Sequence, residues 1–239
     1  MNIKNKETAS VRQGATPALK FLDSQERRAA KRMTVKESGG RSMVEMLGVL
    51  AIIGVLSVGA LAGFNKAMMK HKLNKQIEQF NSLLTSVINH ADNFRDISGN
   101  INQYIISLKE LSPDMVVDGR IYDAFQTNYN IARVSRGDLE LITIWITPTF
   151  NLSESSKDSF EICKNIFSVV QAYHEHVIWF YNYSYDGDDH AKQSGVMYGD
   201  LWCEENKTCL KSATLQNVYE LCTGASGQSR GYYKLELNV

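Results

Sequence analysis

Nineteen consecutive residues, Met46–Phe64 (MLGVLAIIGVLSVGALAGF), carry no charge, and Ser57 is their one polar side chain. At about 1.5 Å per residue such a run makes a helix of about 28 Å, close to the roughly 30 Å hydrocarbon core of a bilayer. No proline interrupts it or the segment that follows. The pattern changes instead of stopping. Leu73, Ile77, Phe80, Leu84, Val87, Ala91 and Phe94 recur every three or four residues, which places them on one helix face. Lys72, Lys75, Gln76, Gln79 and Asn81 fall on the opposite face. The expected element is one long helix from near Ser42 to near Phe94. Its first half is of membrane-spanning composition and its second half is amphipathic. The stripe on that second half must lie against its own domain or against neighbouring copies.

Beyond Gly99-Asn100 the periods shorten. Asn102–Leu111 reads as a short helix ended by Ser112-Pro113. Asn130–Val134 and Leu139–Thr147 are β-rich and flank the turn Arg136-Gly137-Asp138, which predicts a hairpin. Ser155–Tyr173 places Phe160, Cys163, Ile166, Phe167 and Val170 at helical spacing. Val177–Tyr185 and Tyr232–Leu237 read as strands, and Thr214–Cys222 as a short helix. The expected fold class is α+β, a long N-terminal helix packed on an antiparallel-sheet head. The expected division is a leader at 1–40, the helix at 41–95 and the head at 96–239.

Composition adds little for the chain as a whole: 239 residues, 44% hydrophobic and 22% charged, with a net charge of zero. The zero hides an asymmetry. Residues 1–40 hold nine Lys/Arg against four acids, a net of +5, so the remainder carries −5. A basic head before an apolar run reads as a targeting segment that stays on the cytoplasmic side. Without interleaved aromatics it does not read as a nucleic-acid arm, and the acidic remainder argues against a nucleic-acid surface.

Four cysteines, Cys163, Cys203, Cys209 and Cys222, all lie in the last third. An even number fits an oxidising compartment, and the absence of a CxxC pair weakens a zinc reading. Of three connectivities, the preferred one is Cys203–Cys209 with Cys163–Cys222. Asp186-Gly187-Asp188-Asp189-His190 offers hard oxygen ligands, but its spacing is not an EF-hand, so a polar turn is expected. His174-x-His176 together with His190 could suggest a transition metal, but no third ligand position is fixed, so structural histidines and no metal are expected. Trp179, Phe180, Tyr181, Tyr183 and Tyr185 suggest core plus one exposed strand face. No nucleophile triad, P-loop or GxGxxG signature is present, so neither an enzyme nor a cofactor is expected.

The junction ahead of the apolar run carries the sharpest signal. The leader ends in Gly39-Gly40, and Glu45 lies five residues past Gly40 at the start of the run. A carboxylate at a helix centre in a membrane costs about 2.5–3.5 kcal/mol on insertion scales, so one at the mouth of a span is a functional hypothesis by default. Gly59-x-x-x-Gly63 adds the spacing of a small-residue helix interface. Over residues 36–95 the chain resembles the type IV pilin superfamily, which comprises type IV pilins, including the type IVb group with its longer leaders, and type II secretion pseudopilins. The resemblance implies cleavage between Gly40 and Arg41 by a prepilin peptidase and methylation of the new Arg41 amine. It gives Glu45 an assembly role and makes Gly54 the family's helix glycine. Arg41 stands where the family mostly has Phe, Met or Leu, and the helix lacks the proline many pilins carry. The implied partners are other copies or other pilins, the peptidase, an assembly platform and the inner membrane. The implied life is that of an inner-membrane precursor that becomes an extracellular or periplasmic filament.

Two plainer expectations compete. Ala60-Leu61-Ala62 is an A-x-A site, so a signal peptidase could cut before Gly63 and release a soluble binding protein. The apolar stretch is, however, well beyond the usual 7–15 residues of a signal peptide. The other is a simple single-pass anchor.

Overall fold

The computed structural model describes residues 43–149, 157–185, 191–223 and 230–238. The leader, including Gly40 and Arg41, lies outside the described residues, as does the Asp186–His190 run. The chain divides at Leu61/Ala62 into two units, described in turn.

In the first unit the described residues form the opening part of helix α1, which runs over Met43–Asn89. Leu, Met and Ala are strong helix formers, and the cost of single glycines, about 1 kcal/mol each, is spread over the run. Ser57 donates its hydroxyl to the carbonyl of Ile53 at 2.7 Å, so the one polar side chain of the apolar run is satisfied within the helix. Every residue from Met43 to Leu61 is exposed.

The second unit is α+β. Its strands are β1 (Gly99–Asn100), β2 (Val116–Val117), β3 (Arg120–Tyr122), β4 (Asn128–Arg136), β5 (Leu139–Thr147), β6 (Val177–Tyr185), β7 (Ala191–Tyr198) and β8 (Arg230–Asn238). They form one antiparallel sheet in the order β2-β3-β4-β5-β8-β6-β7, with β1 also pairing β4. The expected hairpin is β4–β5. Arg136 faces Leu139 across the two-residue turn Gly137-Asp138, and Gly137 takes the positive φ of +60° that such turns demand. The remaining helices are α2 (Asn102–Ser107), α3 (Lys157–Ala172) and α4 (Leu215–Thr223).

One face of the sheet builds the core: Tyr129, Ile131, Ile142, Ile144, Ile146, Phe180, Tyr233, Leu235 and Leu237 are all buried. Phe80, Leu83, Leu84 and Val87 from the later part of α1 join that core, as do Ile162, Ile166, Phe167 and Val170 from α3. The ring of Phe80 stacks on Tyr129 with centroids 5.2 Å apart. The helix passes at its end into a 3₁₀ turn, Ala91–Phe94, whose Ala91 and Phe94 are buried as the stripe requires.

The buried face differs from the expected one in one respect. Gln76 and Gln79, assigned to the opposite face, are fully inside, while Ile77 is 36% exposed. The reason is chemical. Gln76 Nε2 donates to Asp123 Oδ2 at 2.8 Å, and Gln79 Nε2 donates to Asp114 Oδ2 at 2.9 Å. Gln79 Oε1 accepts from the backbone N–H of Ala124 at 2.8 Å. Buried amides are tolerated where their bonds are made, and here they tie the helix to the turn at 123–127.

Cys163 of α3 pairs with Cys222 of α4, with Cα atoms 5.7 Å apart. Cys203 pairs with Cys209, Cα atoms 5.5 Å apart, closing a six-residue step.

Candidate functional site

Two groups of residues carry chemistry: the opening of α1, in the first unit, and the outer face and edges of the sheet, in the second.

Glu45 lies in the first turn of α1, where exposed backbone N–H groups and the helix dipole favour a negative charge. From there the helix presents apolar side chains on all sides. Eleven large apolar side chains between Met46 and Phe64 are exposed, Leu56 at 66% and Val58 at 72% among them. Among the described residues this is the one helix long and apolar enough to cross a membrane. A Cβ added at Gly48, Gly54, Gly59 or Gly63 would meet nothing within 4 Å. No neighbour within the described chain therefore requires these glycines.

In the second unit the helix is clamped by charge as well as by packing. Lys75 and Gln79 meet Asp114, and the hydrogen bond from Lys75 is the main cause holding that carboxyl below its ordinary range. His90 Nε2 lies 2.9 Å from Glu110 Oε1, and that bond is the main cause that lowers the Glu110 carboxyl. At the hairpin, Ser135 and then Arg133 lower Glu140 in the same sense.

The side of the sheet turned from the core is not the exposed strand face expected: Tyr181, Lys234, Thr143 and Glu236 are buried there, and Trp145, Trp179, Tyr183 and Tyr198 are half-buried. Trp145, Lys234 and Tyr181 lie in one cross-strand row, and Thr143, Glu236, Trp179 and Tyr198 in the next. Glu236 is completely buried between Lys234 Nζ at 2.7 Å and Arg136 at 2.8 Å. Lys234 also lies over the Trp145 ring and Arg136 over Trp179, each 5.7 Å from the centroid. Desolvation pushes the Tyr181 hydroxyl up to about 12. Sequence reasoning saw the aromatics and missed this ion triad. The signal available was Lys234 and Glu236 at period two within an otherwise apolar strand.

His174 does not join a metal set with His176. It meets Asp200, Nδ1 to Oδ1 at 2.9 Å, with Glu175 nearby and the Lys211 ammonium 3.7 Å from the other Asp200 oxygen. A cation already attends that carboxylate, so the cluster reads as an ion-pair network.

Together these features define a class: an α+β domain with two disulfides, preceded by a helical stretch that has an acidic first turn and no charge from Met46 to Phe64. Comparison with protein-family models, with curated proteins and with solved structures finds no match to this chain.

Proposed function

We propose that the chain is the membrane precursor of a filament subunit of the type IV pilin kind, a pilin or a type II secretion pseudopilin, acting structurally. The observation that carries the reading is the opening of α1: a helix exposed and apolar on every side, headed by Glu45, five residues after Gly40. Water is a poor solvent for such a surface. Each large apolar side chain gains about 1.5–3 kcal/mol on burial, so burying a few of the eleven outweighs the cost of about 2.5–3.5 kcal/mol for one carboxylate in a membrane. A bilayer satisfies the helix in the precursor, with the basic leader on the cytoplasmic side. A bundle of identical helices satisfies it in the filament.

Cleavage after Gly40 by a prepilin peptidase supplies the missing specificity. It creates an α-ammonium on Arg41, open to methylation, which pairs with Glu45 of a neighbouring subunit. A desolvated pair of this kind is tolerated only in good geometry, so it selects one axial register among many that apolar packing alone would accept. A head-to-tail contact that does not close produces a helical filament. Gly54 and its companions allow the close approach of neighbouring helices.

The test is Glu45→Ala. The variant is expected to enter the membrane and to be cut normally, yet to yield no filaments. Normal filaments from Glu45→Ala would refute the register role.

A further inference from the structure

The outer edge of β4 is divided between two short strands. β3 pairs with Asn128 and Tyr129, and β1 with Ala132 and Arg133, which leaves Asn130 and Ile131 between them. Asn102 closes the gap. Its Nδ2 donates to the carbonyl of Tyr129 at 3.0 Å and its Oδ1 accepts from the N–H of Ile131 at 2.7 Å. Over this mended edge lies an open cleft of about 240 Å³, lined by the carboxamides of Asn100, Asn102, Gln103, Asn128 and Asn130. Gly119 and Arg120 complete the lining, and no carboxylate is among the described residues there.

The cleft is preformed. Gln103 Nε2 donates to the carbonyl of Gly119 at 3.0 Å. Gly119 has φ of +71°, and a Cβ there would come 2.9 Å from that Nε2, so the approach of Gln103 depends on glycine. Asn100 Nδ2 donates to Asn130 Oδ1 at 2.6 Å. These bonds leave Asn130 Nδ2 and Gln103 Oε1 unused, so one donor and one acceptor line the same cleft. The register places Trp145 directly opposite Asn130, one strand further in.

This donor set selects by chemistry. Asn130 Nδ2 and Gln103 Oε1 offer one donor and one acceptor to the same cleft, which matches hydroxyls that each donate and accept. An apolar ligand would leave the amides it covers unpaired. A multiply charged anion would find one cation, Arg120. The volume is below the roughly 300–1,000 Å³ of pockets for drug-sized ligands and suits a single ring. We propose that this cleft binds a neutral sugar, one pyranose unit of a glycan, held by Asn130, Gln103 and Asn128. The site does not depend on the filament reading, since a soluble or an anchored chain would carry it equally.

The test uses the full chain in a detergent without a sugar headgroup. It is titrated with the methyl glycosides of glucose, galactose, mannose and N-acetylglucosamine, and followed by tryptophan fluorescence and amide NMR shifts. At least one glycoside is expected to bind saturably in the millimolar range. Asn130→Ala and Gln103→Ala are each expected to weaken it about tenfold, one missing hydrogen bond being worth about 1.4 kcal/mol. Inorganic phosphate is expected not to compete. Saturable binding by none of the four, binding unchanged in both variants, or displacement by phosphate would each overturn the proposal. Unchanged thermal midpoints in the two exposed-residue variants make a loss of binding a loss of the site. Should either variant be destabilised, Asn128→Ala gives the same reading.

Discussion

The two stretches of α1 are both helical and both rich in apolar residues, yet they meet opposite surroundings. From Met46 to Leu61 nothing is charged and everything is exposed. From Ala62 onward the helix is studded with Lys66, Lys70, His71, Lys72, Lys75 and Glu78, yet Phe80, Leu83, Leu84 and Val87 are completely buried. Among the described residues, the more hydrophobic stretch is thus the one that contributes no side chain to the core. Hydrophobicity states how badly a segment needs to leave water. Periodicity states whether one face of it can do so inside a single domain. An all-round apolar helix has no polar face to leave in water, a composition compatible with a membrane span.

Truncating one side chain in each stretch separates the two most sharply. Phe80→Ala removes a ring packed on Tyr129 and is expected to cost about 3–5 kcal/mol in denaturant unfolding. Leu56→Ala should leave the unfolding of the head unchanged. A loss of head stability from Leu56→Ala would mean the first stretch is part of the core after all.

The staples of the head come next. Cys163 and Cys222 are 59 residues apart in sequence and Cys203 and Cys209 are 6 apart. Loop-closure entropy then assigns about 4 kcal/mol to the first and about 2 kcal/mol to the second, as ceilings. Paired Cys→Ala variants, unfolded in denaturant, should keep that order.

A finer probe addresses which face of the second stretch is inside. Gln76→Ala leaves the buried Asp123 carboxylate short of a donor and should cost about 1–3 kcal/mol. Ile77→Ala, one position along, should stay within about 0.5 kcal/mol. The reverse order would restore the face expected from apolar spacing.

The smallest effect is in pH. Glu110, Asp114 and Glu140 have folded-state values lowered by hydrogen bonds. A lowered carboxyl stabilises the fold above its unfolded value and ceases to do so as pH falls through the folded one. The thermal midpoint should therefore hold from neutral pH down to about 4.5 and decline below it. Asp114→Asn, which removes one of the three, should flatten the decline. All three are largely exposed, so the slope should be shallow and sensitive to salt.

Much of this architecture could be read from residues alone, and the parts that could not share a cause. The long helix, the β4–β5 hairpin, β6 and the later helices follow from periodicity, turn chemistry and β-branched or aromatic runs. The two-residue strands β1 and β2 are too short to show a period. β7, AKQSGVMY, carries a glycine and little alternation, and it owes its strand state to pairing with β6. The burial of Gln76 and Gln79 was hidden because it depends on Asp114 and Asp123, more than 30 residues away. The amide cleft was hidden for the same reason, since its asparagines gather from β1, α2 and β4 only once the sheet edge forms. The place of Glu45 in the first turn of α1 was visible because its spacing from the apolar run is local.

Under the proposed function the exposed helix is displayed by cleavage at its acidic mouth. Mass spectrometry of the N-terminus of the protein isolated from its native membrane or surface tests that directly. The expected chain begins at Arg41, with or without an N-methyl group. A chain beginning at Gly63, or one that retains its leader intact, would contradict it.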